Sequence, residues 1–413
     1  MHYDTALRTY GSKRIEEIEE ADILVGIPCY NNEKTIEHVI QMVTHGLSKH
    51  YKDKKSVIFI ADGGSTDDTR EAAKEFQIKP WQEKIVAIYR GPGGKGTALR
   101  SVFESANRLK IKACAVVDSD LRSITPDWVK YLLDPVLQKG YQFVAPVYVR
   151  HKYDGTITNN IVYNLTRTLY GQRIRQPIGG DFALSRDIIR FYIDQDVWET
   201  DVARYGIDIW LTTNAITNSF RTCQSNLGVK IHDAKDPGMH LGPMFRQVLW
   251  TVFTLMEQNE VFWKGVKGSE AVETFGFTGT LEPEAVDVNL EGMIEHFKIG
   301  YNQFSVLWKD MLSSDSFDAV KKASRMKPAT FHLPTEIWVR ILCEIAALFH
   351  TWSANRNKLI DLMTPLYYCR VASFVRQTWD MSSQEAEALV EEQASKFEEN
   401  KDYLIHVWER GVK

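Results

Sequence analysis

The chain has 413 residues, enough for two domains or one large one with a well-buried core. Apolar residues make up 44% and charged residues 25%, a balance that excludes disorder, collagen and coiled coil. The 50 Lys and Arg against 54 Asp and Glu give a net charge of −4, whereas a nucleic-acid-binding chain usually has a basic excess. We therefore expect no nucleic-acid partner.

Neither the cysteines nor the N-terminus indicates export or membrane insertion. The five cysteines are an odd number, are scattered and include no CxxC pair, so neither a disulfide framework nor a zinc site is indicated. The first twenty residues contain five acids and no apolar stretch, and no run approaches 18 apolar residues. We expect a cytoplasmic protein without a signal peptide or a transmembrane helix.

Up to about residue 231, short apolar runs alternate with amphipathic stretches. The runs rich in Val, Ile and aromatic residues predict buried strands at Ile23–Ile27, Ser56–Ala61, Ile85–Tyr89, Ala113–Val117 and Phe143–Val149. The stretches between them predict helices at Glu33–Leu47, Thr66–Phe76, Thr97–Leu109 and Pro126–Leu137. This alternation predicts an α/β fold with a mostly parallel sheet and helices on its faces.

The C-terminal third is predicted to be mainly helical. Helical spacing covers Phe245–Trp263, Leu290–Met311, Glu336–Trp352, Leu359–Thr378 and Ser383–Trp408, and residues 265–288 are predicted to form a connecting loop. We therefore assign residues 1–265 to the α/β domain and residues 266–413 to a helical domain that serves as a lid or as a dimerisation element. The Trp and Leu content of these helices favours a homodimer.

Two carboxylates follow the predicted fourth strand. Asp118 and Asp120, separated by Ser119, come directly after the apolar run that ends at Val117. Open α/β sheets bind ligands at the carboxyl ends of their strands, and hard oxygen ligands there suit Mg²⁺ or Mn²⁺, which can neutralise a diphosphate. A lone DxD is also compatible with a solvated turn, so this pattern needs support from its neighbours.

Polar turns follow two other strands in the same way. Asp62 ends the second strand before a glycine turn, where it could accept hydrogen bonds from a base or a ribose. A capping turn that begins the next helix at Ser65 or Thr66 is the structural alternative, and both can hold. The first strand ends in polar residues at the same edge, from Pro28 to Glu33.

The glycine loop, Arg90–Thr97, places a lysine at a predicted helix N-terminus. Backbone N–H groups, the helix dipole and the Lys95 ammonium would together form an anion site. The loop also matches GxGxxG at Gly91, Gly93 and Gly96, which is the dinucleotide fingerprint and makes an NAD-dependent dehydrogenase the rival hypothesis. Against it, two strand–helix units precede the loop, and Asp120 would have no task.

Three later features complete the candidate site. The turn at Gly179, Gly180 and Asp181 lets backbone approach a ligand closely. Asp208 lies in an apolar helix start, where a carboxylate is costly unless it is paired or used, although it could simply face the helix dipole. His232 is a possible further metal ligand, and His240 competes with it.

In this order the motifs resemble those of nucleotide-sugar glycosyltransferases of the GT-A fold, over roughly residues 20–250. The nearest resemblance is to the retaining enzymes that make compatible-solute precursors, glucosyl-3-phosphoglycerate synthase and mannosylglycerate synthase. It implies a Rossmann-like, nucleotide-sugar-binding and catalytic domain followed by the helical domain. Carried over by position, the implied donor-binding residues are Pro28, Tyr30, Asn31, Glu33, Asp62, Ser65, Lys95, Asp118 and Ser119.

The resemblance also implies the metal and acceptor residues. Asp120 and His232 would bind Mg²⁺ or Mn²⁺. The side chains that would grip the acceptor are Arg150, Asp154 and Thr158, with Gly179, Gly180 and Asp208. The phosphoglycerate enzymes have Arg where Thr156 stands and Asn where Ala234 stands, which favours glycerate over 3-phosphoglycerate unless Lys152, Lys230 or Lys235 substitutes.

The implied reaction moves a hexose from an NDP-sugar to the hydroxyl of D-glycerate or 3-phosphoglycerate with retention, with Asp208, Asp118 and Lys95 as catalytic residues. The choices between glucose and mannose, and between UDP and GDP, remain open. So does the choice between a covalent nucleophile and attack on the face of the leaving group. A non-catalytic protein that binds sugar nucleotides is the third alternative.

Overall fold

The structure is a computed structural model that describes residues 3–232, 237–279 and 282–412, with the backbone alone at 237–241. The chain forms two compact units, each discontinuous in sequence. The sheet unit comprises residues 1–149, 174–233 and 271–283. The helical unit comprises residues 150–173, 234–270 and 284–413.

The strands of the described residues belong to the sheet unit. They are β1 (Ile23–Cys29), β2 (Ser56–Asp62), β3 (Gln82–Ile88), β4 (Ala113–Val116), β5 (Phe143–Val149), β6 (Phe182–Ser185), β7 (Thr222–Val229) and β8 (Thr274–Gly276). They form one sheet in the order β3-β2-β1-β4-β6-β5-β7-β8. The five strands predicted from apolar runs are confirmed within three residues at each end. β8 lies inside the stretch predicted as a connecting loop.

Strand directions confirm a mostly parallel sheet with one exception. β1 pairs in parallel with β2 and β4, and β5 pairs in parallel with β7. β6 is antiparallel to both β4 and β5. The chain therefore reaches the carboxyl ends of β4 and β5 at the beginning of β6.

Helices cover the faces of the sheet and build the helical unit. They are α1 (Thr9–Ile18), α2 (Ile36–His50), α3 (Thr69–Glu75), α4 (Lys95–Arg108), α5 (Pro126–Lys139), α6 (Tyr163–Tyr170), α7 (Arg186–Ile193), α8 (Ile207–Thr217), α9 (Pro237–Gln258), α10 (Glu260–Gly265), α11 (Leu290–Met311), α12 (Ser314–Ser324), α13 (Thr335–Thr351), α14 (Arg356–Gln377), α15 (Ser383–Glu399) and α16 (Lys401–Arg410). The predicted domain boundary at residue 265 differs from the division into units, because residues 150–173 and α9 belong to the helical unit.

Two of the long predicted helices are each divided by an asparagine. Asn259 separates α9 from α10, and Asn400 separates α15 from α16. Each side-chain amide donates to the carbonyl four residues back, at 2.9 Å for Asn259 and 2.8 Å for Asn400. Asparagine offers the backbone such an alternative hydrogen bond and so favours helix ends. The apolar pattern continues through both positions, which is why the sequence predicted single helices.

Each unit has its own core. In the sheet unit, Trp128 of α5 is fully buried in the cluster that α2 and α5 form against the sheet. In the helical unit, Trp263, Trp308 and Trp338 are fully buried. Within the described residues, no helix has the length and apolar character needed to cross a bilayer.

Candidate active site

The candidate site lies at the carboxyl edge of the sheet, where the chain order reverses. After β1 the chain forms β2 and β3 on one side, then crosses to place β4 on the other side of β1. Such a reversal opens a crevice outside the strand ends, which is the usual ligand position in open α/β sheets. Gly26 of β1 pairs with Val116 of β4, so the turns after these two strands are neighbours.

Asp118 is held on both carboxylate oxygens and on its backbone. Lys95 Nζ lies 2.8 Å from Oδ1, and Lys230 Nζ lies 2.8 Å from Oδ2. The Asp118 backbone N–H donates to Asp181 Oδ1 at 2.8 Å. Burial alone would raise the pKa of Asp118, but the ammonium groups of Lys230 and Lys95 outweigh it and hold that pKa well below its usual range. Asp118 is therefore an ionised carboxylate in a fixed orientation.

Lys95, the first residue of α4, joins Asp118 to a second acid. Its Nζ also donates to the Gly180 carbonyl at 3.0 Å and lies 3.4 Å from Asp208 Oδ2. Burial lowers the pKa of Lys95, but Asp118 and Asp208 raise it by more, so the ammonium stays charged. The structure thus brings together Lys95, Asp118 and Asp208, and their catalytic role stays a prediction.

Lys230 extends this series on the other side of Asp118. It follows β7, is buried, and lies 2.9 Å from Asp181 Oδ2 and 2.9 Å from the Gly179 carbonyl oxygen. The Tyr148 hydroxyl donates to the same Asp181 oxygen. Acids and lysines therefore alternate through five residues, which we call the ion-pair chain: Asp181, Lys230, Asp118, Lys95 and Asp208.

Asp208 ends the ion-pair chain with one uncommitted oxygen. It lies in the first turn of α8 and is buried. Oδ2 faces Lys95, whereas Oδ1 has no hydrogen-bond partner among the described residues. Burial raises the pKa of Asp208, and the Lys95 ammonium offsets only part of that rise. A buried acid at a helix start with an unpaired oxygen is suited to a reacting or binding role.

The turn before β6 depends on glycine. Gly180 has a φ of +94°, and a Cβ there would overlap the Asp118 carboxylate. The carbonyls of Gly179 and Gly180 accept hydrogen bonds from Lys230 and Lys95. In this structure the turn thus positions the two lysines, and its predicted contact with an acceptor stays a prediction.

The glycine loop packs closely against a neighbouring turn, and its predicted role as an anion site stays a prediction. A Cβ on Gly96 would overlap the Val202 carbonyl oxygen, and the Gly96 N–H donates to the Arg204 carbonyl at 3.3 Å. The loop follows β3 and its glycine lets the Asp201–Ala203 turn pack on the start of α4. The Lys95 ammonium is paired with carboxylates, so contact with a diphosphate requires the donor to share it.

The predicted nucleoside residues meet at the ends of β1 and β2, but Asp62 has no exposed surface. Its Oδ1 accepts from the Ser65 hydroxyl at 2.6 Å and from the Ser65 N–H at 3.1 Å. The Ser65 Oγ in turn accepts from the Asn31 N–H at 3.0 Å. Asp62 therefore shapes the turn through Ser65, as the structural alternative predicted, and its contact with a base or a ribose stays a prediction. Tyr30 is 58% exposed beside it, and Pro28 is buried within β1.

Glu33 and Ser119 tie neighbouring turns together. The Glu33 N–H donates to Asp67 at 3.2 Å, and its carboxylate accepts from the Asp68 N–H at 3.3 Å. The Ser119 hydroxyl donates to Asn32 at 2.8 Å. Both residues therefore stabilise the turns at the predicted donor edge.

Asp120 and His232 lie on paired segments. Leu121 and His232 form an antiparallel bridge, and the Arg122 N–H donates to the Ile231 carbonyl at 2.9 Å. In the described ranges no group of three or more His, Cys, Asp or Glu could hold a metal ion. A carboxylate and an imidazole still fit a divalent cation whose other ligands are substrate phosphates and water, the usual arrangement for Mg²⁺. The His240 side chain, and Ala234 and Lys235, lie outside the described residues.

The predicted acceptor segment, residues 150–158, belongs to the helical unit. Arg150 Nη1 lies 3.7 Å from Asp154, and Thr158 is buried at the start of a π-helical turn, Thr158–Val162. Thr156 is also buried, and its hydroxyl is 2.6 Å from the Tyr367 hydroxyl.

Tyr148 was not predicted as a site residue, and Asp181 and Lys230 were named only within the glycine turn and as a possible phosphate ligand, not as partners of Asp118. Their positions contain a usable signal, since Lys230 directly follows a strand, Asp181 directly precedes one, and Tyr148 lies near the end of another. A buried lysine at a strand end is costly without acids, so its presence indicates carboxylate partners.

Comparison with known proteins identifies the class of domain. Residues 24–198 match the family model described as glycosyl transferase family 2. Glycosyltransferase AglJ of Haloferax volcanii is 28% identical over 167 residues, which are 39% of this chain and 49% of AglJ. The chain thus spans about half the length of this curated relative.

Solved structures of glucosyl-3-phosphoglycerate synthase from Mycobacterium tuberculosis also match. The complex with Mg²⁺ and UDP is 25% identical, with 58% of this chain and 83% of that chain covered and a TM-score of 0.44. The complex with Mn²⁺, UDP-glucose and phosphoglyceric acid is 26% identical, with 59% and 84% covered and a TM-score of 0.43.

The family match covers the glycine loop as well as Asp118 and Asp120, which favours the transferase interpretation of these motifs over the dehydrogenase one. The strand alternation, the mostly parallel sheet and the acids at its carboxyl edge agree with that match. Residues 24–198, which contain most of the sheet, are therefore similar to glycosyltransferase family 2, and the predicted α/β fold with a mostly parallel sheet is confirmed.

Proposed function

We propose that this protein transfers a hexosyl group, glucose or mannose, from a UDP- or GDP-sugar to the hydroxyl of a small three-carbon acid, with retention at the anomeric carbon. The observation that carries the proposal is the ion-pair chain at the carboxyl edge of a family 2 domain. It combines an ionised acid, Asp118, with a second acid, Asp208, that has an uncommitted oxygen.

Each residue then has a task that its surroundings support. Asp118, ionised and still partly exposed, accepts hydrogen bonds from donor hydroxyls. Lys95 is charged and stabilises the negative charge that develops on the leaving diphosphate. A divalent cation held by Asp120 and His232 would supply further neutralisation of that charge.

Asp208 is the carboxylate proposed for the reacting centre. Lys95 orients it through Oδ2, and the buried Oδ1, which has no hydrogen-bond partner among the described residues, is the oxygen proposed to meet an anomeric carbon or an acceptor hydroxyl. Either use needs an oxygen that no protein group already occupies, which distinguishes Asp208 from Asp118 and Asp181. A covalent intermediate and attack on the face of the leaving group are both compatible with this position.

For the acceptor we propose glycerate in preference to 3-phosphoglycerate, with Arg150, Asp154 and Thr158 as its ligands. Thr156, which replaces an arginine of the phosphoglycerate enzymes, is buried against Tyr367. Lys152 Nζ is engaged by three backbone carbonyls, at 2.6–3.0 Å, and Lys230 is engaged within the ion-pair chain. Neither lysine supports binding of a phosphate group.

The test is a donor-by-acceptor activity screen. The purified chain is incubated with Mg²⁺ or Mn²⁺, each of UDP- and GDP-glucose and -mannose, and either D-glycerate or 3-phosphoglycerate. NDP release and product mass are followed, with Asp208→Asn as the inactive control. We expect product with glycerate that exceeds product with 3-phosphoglycerate.

Three other results would change the proposal. Product with 3-phosphoglycerate alone would contradict the acceptor assignment. Metal-dependent NDP release without a transfer product would support the donor assignment and contradict the acceptor assignment. Binding of NAD with no metal-dependent donor binding would contradict the transferase as a whole.

We also propose a homodimer. On α11, Ile299, Val306 and Leu307 are spaced to share one helix face and are 47%, 75% and 48% exposed. Three large apolar side chains on one exposed face favour a protein partner. Analytical ultracentrifugation of the wild type and of Val306→Lys tests this, since a monomeric wild type would contradict it.

A further inference from the structure

The acceptor segment is built into the C-terminal helices of its own unit. It precedes a π-helical turn, Thr158–Val162, which continues into α6. A π turn is rare because it widens the helix, and it persists only where the surrounding structure supports it. The supports are polar contacts from α13, α14 and α15.

The first support is an ammonium at the C-terminal end of α14. Lys152 Nζ donates to the carbonyls of Thr378, Trp379 and Met381 at 2.7, 3.0 and 2.6 Å. These carbonyls belong to the C-cap and the turn that follow α14, next to the negative end of its dipole. Lys152 lies between Arg150 and Asp154 in sequence, so this contact fixes the first half of the acceptor segment.

The second support is centred on Asn160, which is fully buried in the π turn. Its carbonyl accepts from Trp338 Nε1 at 2.8 Å, its Oδ1 accepts from Arg370 Nε at 3.1 Å, and its Nδ2 donates to the Thr156 carbonyl at 3.0 Å. One residue thus links α13 through its backbone carbonyl and α14 and the acceptor segment through its side chain.

Burial of the Arg370 guanidinium beside the π turn has a large desolvation cost. Arg370 is 2% exposed, its Nη1 has no hydrogen-bond partner among the described residues, and burial lowers its pKa to about 10. A leucine or methionine would fill such a core position without the desolvation cost of a guanidinium. What Arg370 provides instead is the directional hydrogen bond to Asn160.

Two further contacts fasten the same stretch. The Thr156 and Tyr367 hydroxyls are 2.6 Å apart, and Gln393 Nε2 donates to the Asn159 carbonyl at 2.8 Å. Lys152, Thr156, Asn159 and Asn160 thus contact α13, α14, α15 or the turn after α14, and none of these four residues is a proposed acceptor ligand.

We propose that the C-terminal helices set acceptor affinity, with Lys152 and Arg370 as positioning residues that hold the acceptor segment in its binding conformation. This inference rests on the proposed function. It gives the helical unit a task in acceptor recognition in addition to the dimerisation proposed for it.

The test compares Michaelis constants for the two substrates in Lys152→Met and Arg370→Met. Because these residues position acceptor ligands only, we expect the acceptor KM to rise at least about tenfold while the donor KM stays within about twofold. Arg370→Lys should recover part of the loss, since lysine can still donate to Asn160. Tyr367→Phe removes a single hydroxyl and provides a third variant if Arg370→Met does not fold.

Arg167→Met is the matched control. Arg167 is also a buried arginine of the helical unit, but it joins α6 to α15 through Glu391 at 2.8 Å and Glu398 at 3.0 Å, beyond the π turn. The Arg167→Met substitution should lower the free energy of unfolding without a change in the acceptor KM. An equal rise in acceptor KM in Arg167→Met would overturn the inference, because general destabilisation would then explain it.

Different results would contradict the proposed function and the positioning role of Lys152 and Arg370. A wild type that transfers sugar, together with Lys152→Met and Arg370→Met variants that keep their acceptor KM, would overturn this inference alone. A wild type that transfers sugar to neither acid would remove the proposed function, and this inference with it.

Discussion

Lys230 Nζ and Asp118 Oδ2 are 2.8 Å apart although 112 residues separate them in sequence, and Lys95 occupies the other oxygen of the same carboxylate. The pair forms because β7 and β4 end at the same edge of one sheet, with β6 and β5 between them. The carboxylate at the centre of the proposed donor site is therefore fixed by residues from distant parts of the chain.

Removal of Lys230 should destabilise the sheet unit strongly. Lys230→Met leaves Asp118 and Asp181 close together without their shared ammonium, which should lower the free energy of unfolding by about 3–5 kcal/mol. The double variant Lys230→Met/Asp181→Asn should lose less, because one of the unpaired charges is also removed. Urea unfolding of the wild type, the single variant and the double variant gives the three free energies of unfolding.

The control for this prediction is Lys54→Met. Lys54 forms an exposed ion pair with Asp53 at 3.1 Å, and exposed pairs contribute at most about 1 kcal/mol. Equal losses in Lys54→Met and Lys230→Met would contradict the view that the ion-pair chain is a buried, mutually dependent network.

Asp208→Asn should raise stability at neutral pH while it abolishes transfer. Burial raises the pKa of Asp208 above its ordinary value of 3.8, so the folded carboxyl holds its proton to a higher pH than the unfolded one. Ionisation above that range therefore favours the unfolded chain, and the penalty disappears as pH falls toward 3.8. Urea midpoints of both proteins from pH 5 to pH 8 test this. An Asp208→Asn protein that is less stable than the wild type at pH 7 would contradict it.

Two glycines of the glycine loop should respond differently to alanine. A Cβ on Gly96 would overlap the Val202 carbonyl, so Gly96→Ala should displace the start of α4 with Lys95 and cost about 1–3 kcal/mol. A Cβ on Gly93 would meet nothing within 4 Å, so Gly93→Ala should stay within about 0.5 kcal/mol. Thermal unfolding and transfer rates are the measurements. Similar losses in both variants would indicate that the loop as a whole binds a ligand.

Asp120→Asn should remove the metal dependence of donor binding. In the wild type, we expect calorimetry to show tighter UDP or GDP binding with Mn²⁺ than with EDTA, since the cation links Asp120 and His232 to the diphosphate. In Asp120→Asn the two conditions should give equal affinity, whereas Asp53→Asn, an exposed carboxylate, should behave as the wild type. Retained metal dependence in Asp120→Asn would show that the metal ligands lie elsewhere.

The sequence predicted most of the sheet because each inner strand is a continuous apolar run, as in Ile23–Ile27. Such a run is enough to identify a strand that is fully buried. It also singled out Lys95 in a glycine loop, Asp118 at a strand end and Asp208 at an apolar helix start, and the structure brings these three residues together. The direction of β6 could not be predicted, since four residues, Phe182–Ser185, pack equally well either way and only their pairing with β4 decides.

The partners of the site residues were harder to predict than their positions. Asp62 was correctly placed at a strand end, but its full burial against Ser65 depends on the fold of a turn that no periodicity describes. The contacts of Lys230 with Asp118 and Asp181 depend on the order of the strands in the sheet, and the pattern along the sequence does not reveal that order. The asparagines at 259 and 400 end helices by hydrogen bonds to their own backbone, whereas the apolar pattern that predicted single helices contains no such information.

The antiparallel direction of β6 has a consequence for engineering. Asp181 directly precedes β6, so the return of the chain to Gly179 brings this acid to Lys230 and to the backbone of Asp118. Residues 150–173, between β5 and β6, contribute no strand to the sheet. A graft that replaced them would therefore have to preserve the return at Gly179 and the contacts with α13, α14 and α15, and could vary elsewhere.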